Sequence, residues 1–156
     1  KLASPEKPVV CLLGDGDFMM TMQELSTMAQ YDIPVVVILA NNSCWMAIED
    51  LQRSVLGDDC AFGNRFQQGT EVYSPDFAKI AENFGVASQK ISQRGSVADA
   101  VNRALASGKP ALIEVDVYDV YPESGGDAYG WWDVPIPAHM AERRERYERE
   151  MAEEMV

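Results

Sequence analysis

The sequence predicts an α/β domain built on a doubly wound, mostly parallel sheet with helices on both faces. Three observations predict it. Short apolar runs, Val9-Val10-Cys11-Leu12-Leu13, Val35-Val36-Val37-Ile38-Leu39 and Ala111 to Val117, read as strands buried on both faces. Between them lie segments whose apolar residues recur at helical spacing. The first strand, helix and second strand fit within about 30 residues, the span of a βαβ unit with parallel strands.

Taken in order, Lys1 to Pro8 is a polar lead-in and Val9–Leu13 is the first strand. Gly14-Asp15-Gly16-Asp17 reads as a turn. A helix follows from about Thr21 to Gln30, with Met22, Leu25, Met28 and Ala29 on one face and Thr21 and Glu24 spaced as a capping box. Pro34 leads into the second strand, and Asn41 and Asn42 sit at its carboxyl end. Ala47 to Leu56 reads as helix, and Gly57 to Ser74 as a long irregular loop of the kind that is usually functional. Asp76 caps a helix with Phe77, Ile80, Ala81 and Phe84 inward, stopped by Gly85. Val86 to Ile91 is a third strand. Ser96 caps a helix with Val97, Val101, Ala104 and Leu105 inward, ended by Gly108, and Ala111 to Val117 closes the sheet. Cys11 and the methionines Met19, Met20, Met22 and Met28 are expected in the core. Asp58-Asp59 is expected as solvated loop, Glu24 as a helix cap and His139 as exposed. After residue 118 comes a Pro- and Gly-containing tail with Trp131-Trp132-Asp133, then a charged helix from Ala138 whose thin stripe, Met140, Tyr147, Met151 and Met155, suggests a partner surface. The expected division is therefore 1–118 as a ligand-binding domain and 119–156 as a tail and helix packing on the same or a neighbouring subunit.

Composition narrows the function. At 156 residues and 47% apolar, the chain can bury a core. Its 25 acidic and 13 basic side chains give a net charge of −12. That argues against nucleic-acid phosphates and against an anionic membrane surface. Three cysteines without a C-x-x-C and a single histidine leave little for a disulfide framework, a zinc site or a His-based nucleophile, and fit a reduced, cytoplasmic protein.

One spacing carries chemistry: Gly14-Asp15-Gly16 after the first strand and, some two dozen residues later, Asn41-Asn42 after the second. Each half alone is a common turn. Together they fall on the same edge of a parallel sheet, where ligands bind. Magnesium takes six oxygens at about 2.0–2.1 Å and shares its shell with phosphates. Asp15 offers one charged oxygen, Asn42 one amide oxygen, and the Cys44 carbonyl a third, leaving positive charge to hold a diphosphate. Gly16 lets the backbone approach a phosphate oxygen.

Those residues, with Phe18, Gln23-Glu24-Leu25-Ser26-Thr27, Ile33-Pro34-Val35, Asp76-Phe77, Phe84-Gly85 and the segment from Pro110 to Asp116, resemble the C-terminal, diphosphate-binding domain of thiamine diphosphate enzymes of the acetolactate synthase and pyruvate decarboxylase type. The resemblance implies thiamine diphosphate and Mg2+ as cofactors, Asp15 and Asn42 as side-chain metal ligands, and Cys44 as a main-chain ligand. It lays Gly14, Gly16, Asp17 and Phe18 along the diphosphate. It turns Trp45 and Met46 toward the cofactor and Ala47 and Ile48 toward the substrate. Asp17 stands where the family often has Ser, and Cys44 and Trp45 replace smaller or more polar residues.

The activity so implied is carboligation or decarboxylation of a 2-oxo acid. The segment Gly125-Gly126 to Pro135 also resembles cyclic-dione hydrolases of inositol breakdown, which keeps cofactor-dependent hydrolysis of a dione as an alternative. A non-catalytic α/β association module is the reading from another class. The family's catalytic glutamate belongs to a pyrimidine-binding domain and matches no residue here. The chain is therefore expected to be an N-terminally truncated, inactive part of a homo-oligomeric enzyme, completed by a partner or a missing segment.

Overall fold

The computed structural model describes residues 1–93, 95–118 and 138–154, with backbone alone at positions 54, 150, 151, 153 and 154. The Trp131-Trp132-Asp133 tail and the Met151 and Met155 side chains lie outside what is described. The described residues form two compact units, one of 1–44 and 66–118 and the other of 45–65 and 138–154.

The first unit is a four-stranded parallel sheet in the order β1 (Val9–Gly14), β2 (Val35–Asn41), β6 (Ala111–Asp116), β5 (Ala87–Ile91). A two-stranded antiparallel hairpin, β3 (Gln67–Gln68) and β4 (Glu71–Val72), interrupts the long loop. Alternation along β2 divides the core. Val37 and Leu39 face a cluster with Phe18, Leu25, Phe77, Ala81, Val86 and Leu112. This layer is supplied by α1 (Asp15–Thr21), α2 (Glu24–Gln30) and α4 (Phe77–Asn83). Val36 faces the other side, with Ile91, Ile113 and Ala100 of α5 (Val97–Ser107). The α/β architecture with helices on both faces is the one the sequence predicts.

Local corrections concern the start. Asp15-Gly16-Asp17 is not a turn but the first turn of α1, entered from Gly14 in extended conformation. Thr21 ends that helix, so the expected Thr21–Glu24 capping box does not form. Glu24 instead accepts from the Thr27 hydroxyl at 2.9 Å. Nor is β1 buried on both faces: it is the sheet edge, with Val10, Leu12 and Cys11 exposed. On the α5 face that helix lies against β2 and β6. Met19 and Met20 are exposed as well, while Met22 and Met28 pack on the core. Asp76 caps α4 as expected, accepting from the Lys79 amide at 3.0 Å. Gly85, at φ 82°, and Gly108, at φ 63°, end their helices in the left-handed conformation that favours glycine. Ser96 precedes α5, but its hydroxyl donates back to the Gln93 carbonyl instead of capping.

The second unit holds α3 (Met46–Leu56), a 3₁₀ turn (Asp58–Cys60) and α6 (Ala141–Glu154). Glu49 is buried and clamped by two guanidinium groups, from Arg53 at 2.8 Å and Arg65 at 3.0 Å. Asp58 and Asp59 are exposed yet paired, with Arg53 at 2.9 Å and Arg143 at 3.0 Å. Arg144 and Glu148 form an i,i+4 pair, and His139 is exposed as expected.

One buried charge fixes the first unit. Glu114 is 0% exposed in mid-sheet. Its Oε1 accepts from Lys90 Nζ and from Asn41 Nδ2, each at 2.8 Å, and its Oε2 from the Ala78 amide at 3.0 Å. Burial alone would lower the Lys90 ammonium, but hydrogen bonds to Glu114 and Asp116 outweigh it and raise it above its ordinary value. We expect Lys90→Met to lower unfolding free energy by about 1–3 kcal/mol, the cost of leaving a buried acceptor short of a partner, because Lys90 is itself partly solvated. Lys109→Met, which loses an exposed pair with Asp32, should cost less than about 1 kcal/mol. Urea titration of the two variants checks the ordering.

Candidate functional site

Two strand ends build the site. Parallel pairing sets Gly14 beside Ala40, so the residues after β1 and after β2 emerge together at the carboxyl edge. From the first strand comes Asp15, 2% exposed. Its Oδ1 accepts from the Gly16 amide at 2.9 Å and its Oδ2 from the Cys44 amide at 3.3 Å. From the second comes Asn42, whose Oδ1 accepts from the same Cys44 amide at 3.1 Å. An acid oxygen and an amide oxygen thus converge on one N–H.

The turn between them is held on every side. Asn41 is buried, and its Oδ1 accepts from the Ser43 amide at 3.0 Å. Its Nδ2 donates to the Ser74 hydroxyl and to Glu114, each at 2.8 Å. The Asn41 carbonyl accepts from Val117 at 2.9 Å and the Ser43 carbonyl from Phe66 at 2.8 Å. Ser43 carries φ 56°, a left-handed conformation unusual for a residue with a Cβ. That backbone reversal brings the Cys44 amide under both oxygens.

Asp15 is electrostatically unusual. Burial pushes its carboxyl above the ordinary range, against the amides of Gly16, Cys44 and Ser43, which pull it down. The described residues bring it no cationic side chain. A cation is what such a carboxylate lacks, and one carboxylate with amide and carbonyl oxygens suits a hard divalent ion. Among the described residues no group of three or more His, Cys, Asp or Glu side chains forms a metal cluster, so the donor set would have to be of this mixed kind.

The remaining sequence-chosen residues are dispersed. Asp17 is exposed on the first turn of α1. Phe18 turns its ring into the core, edge-on to Phe77 at 5.6 Å between centroids, and leaves only its backbone at the sheet edge. Trp45, Met46, Ala47 and Ile48 belong to the second unit. There Trp45 precedes α3 and donates to the Asn64 carbonyl at 2.8 Å, while Ala47 and Ile48 are exposed. Sequence reasoning missed Asn41, Ser43 and Glu114. The adjacent Asn41 was visible as half of the Asn-Asn pair. A glutamate inside an otherwise apolar strand was the signal that could have found Glu114.

Residues 1–115 match the family described as thiamine pyrophosphate enzyme, C-terminal TPP binding domain. The chain belongs to that family. It is 39% identical over 117 residues to the acetolactate synthase large subunit of Haemophilus influenzae, covering 75% of this chain and 19% of that one. It is 33% identical to the probable acetolactate synthase large subunit of Methanococcus aeolicus, covering 73% of this chain and 18% of the relative. Among solved structures it is similar to a thiamine diphosphate-dependent 4-hydroxybenzoylformate decarboxylase of Rhodococcus jostii RHA1, with TM-score 0.64 and 32% identity over 75% of this chain and 21% of that one. The chain thus spans about a fifth of the length of these relatives. No described helix is long and apolar enough to cross a membrane.

The raised Asp15 value has a consequence for the metal-free protein. A carboxyl raised on folding keeps its proton in the native state where the unfolded chain has lost it. Its contribution is therefore full below the unfolded value and is lost as pH rises through the folded one. Asn cannot ionise, so the thermal midpoint of metal-free Asp15→Asn relative to the unsubstituted protein should increase as pH is raised from 3.5 toward 7, roughly the window in which a raised carboxyl titrates. Differential scanning calorimetry in chelator checks it; a flat difference would count against a buried, uncompensated Asp15.

Proposed function

We propose that this domain holds the Mg2+–diphosphate end of thiamine diphosphate, with Asp15 and Asn42 as side-chain ligands and Cys44 as a main-chain ligand. The observation that supports this most is the convergence of the Asp15 and Asn42 oxygens on the Cys44 amide. Gly14, Gly16, Asp17 and Phe18 would offer backbone to the diphosphate. Trp45 and Met46 would border the cofactor, and Ala47 and Ile48 the substrate.

The enzyme so served is an acetolactate synthase-like carboligase or decarboxylase acting on the C–C bond beside the carbonyl of a 2-oxo acid. The cofactor, when bound, supplies a thiazolium carbon nucleophile and an electron sink. This chain's residues anchor and orient it. Asp15, already desolvated, spends no further hydration on meeting a cation. The carbonyl and amide donors leave the ion enough charge to grip an anionic diphosphate. Activity would require a pyrimidine-binding domain from a partner or another segment, in a cytoplasmic homo-oligomer, with 1–118 as the cofactor-binding domain and 119–156 packing on the same or a neighbouring subunit.

Asp15→Ala should weaken retention of thiamine diphosphate at fixed Mg2+ by more than about tenfold, at least the loss seen when a metal's outer partners are removed. Equilibrium dialysis of the intact protein against Mg2+ and cofactor measures it. Unchanged retention would remove the ligand assignment.

A further inference from the structure

We infer that Asn41 and Glu114 are positioning residues for the metal site, Glu114 acting through Asn41 to fix the turn that presents Asn42 and Cys44. The inference rests on the proposed Mg2+–diphosphate reading and extends it to two side chains that touch neither metal nor cofactor.

The argument starts from the two ends of one amide. Asn41 Nδ2 has two acceptors, Ser74 Oγ and Glu114 Oε1, each at 2.8 Å. A primary amide presents a donor at one end and an acceptor at the other. With Nδ2 held by Glu114, the Oδ1 end must face the Ser43 amide, which it meets at 3.0 Å. Turning the amide over would set Nδ2 against the Ser43 N–H, donor against donor, and leave the buried Glu114 oxygen facing an amide oxygen. Glu114 therefore selects one orientation of Asn41. That orientation anchors Ser43 at φ 56°, the reversal after which the Cys44 amide lies within 3.1 Å of Asn42 Oδ1 and 3.3 Å of Asp15 Oδ2.

Glu114 is itself immobile. It is fully buried, and Lys90 and the first turn of α4 also donate to it. The turn thus inherits its geometry from the centre of the sheet. A buried network in which every member is satisfied gives rigidity that a solvated loop would lack.

The test uses the intact protein and follows thiamine diphosphate binding by equilibrium dialysis across a Mg2+ series, with each variant's thermal midpoint in chelator as the folding control. Asn41→Ala leaves Lys90 and the Ala78 amide on Glu114. It should raise the Mg2+ concentration for half-maximal cofactor binding by about 10–100-fold, the range for outer partners of a metal site. Cofactor bound at saturating Mg2+ should return to the unsubstituted amount. A purely structural defect would instead lower binding at every Mg2+ concentration, and that result, or an unaltered Mg2+ dependence, overturns the inference. Asn41→Asp alone sets a second carboxylate against Glu114 and should lose the Mg2+ response. The triple variant Asn41→Asp, Glu114→Gln, Lys90→Met exchanges donor and acceptor across the same contact without leaving the Lys90 ammonium against the new amide N–H, and should recover it. If Asn41→Ala has no thermal transition, this exchange decides: no recovery overturns the inference. A protein that binds no thiamine diphosphate at any Mg2+ concentration removes the proposed function itself. Binding lost in Asp15→Ala but normal in both Asn41 variants removes only the positioning role.

Discussion

The carboxylate of Glu114, enclosed in the middle of β6, is the constraint on which the first unit turns. Taking such a charge out of water costs several kcal/mol unless every lone pair finds a donor. Three donors meet it, and they come from three other elements: Asn41 at the end of β2, Lys90 of β5 and the Ala78 amide at the start of α4. Satisfying one ion therefore dictates where two strands and a helix sit relative to β6. The amide at the start of α4 also places a negative charge where a helix favours it. Apolar packing fills the two layers of the core without such directionality; the polar contacts set the register of the functional edge.

Asp15 is the counterpart that is left open. Both carboxylates are enclosed, but one has an ammonium and the other, among the described residues, has only main-chain amides. The difference separates structural from functional use of the same group. A carboxylate paired within the chain stabilises the fold. One that is desolvated and meets no cationic side chain among the described residues suits the cation proposed above. The family to which the chain belongs, together with the mixed oxygen donors around Cys44, supports the magnesium diphosphate proposed above.

Much of this was readable from residues. The β2 and β6 runs, the Asp76 cap and the Gly85 and Gly108 stops each follow from local chemistry, and each was seen. The pairing of Asp15 with Asn42 was legible because both follow strands of one βαβ unit. Other features were not, for definable reasons. Gly-Asp-Gly has the composition of a turn, yet Gly14 stays extended as the N-cap and Asp15 already starts α1. An apolar run looks the same in a central strand and at an edge, so the exposure of Cys11 and Leu12 depended on a strand order that no local pattern encodes. The bond between Asn41 and Glu114 spans 73 positions of chain, and only the tertiary fold reveals that a polar residue in β6 answers one at the end of β2.

The bare margin of β1 bears on how this polypeptide behaves in solution. Among the described residues no strand pairs with its outer side, and its backbone groups with the exposed Val10 and Leu12 side chains form a margin of the sort that zips onto another molecule's sheet. Mutual repulsion opposes that pairing, since each copy carries a net charge of −12. Electrolyte shrinks the reach of that repulsion to about 3 Å at 1 M while leaving the oily rim untouched. Concentrated salt is accordingly the condition under which this acidic chain would clump.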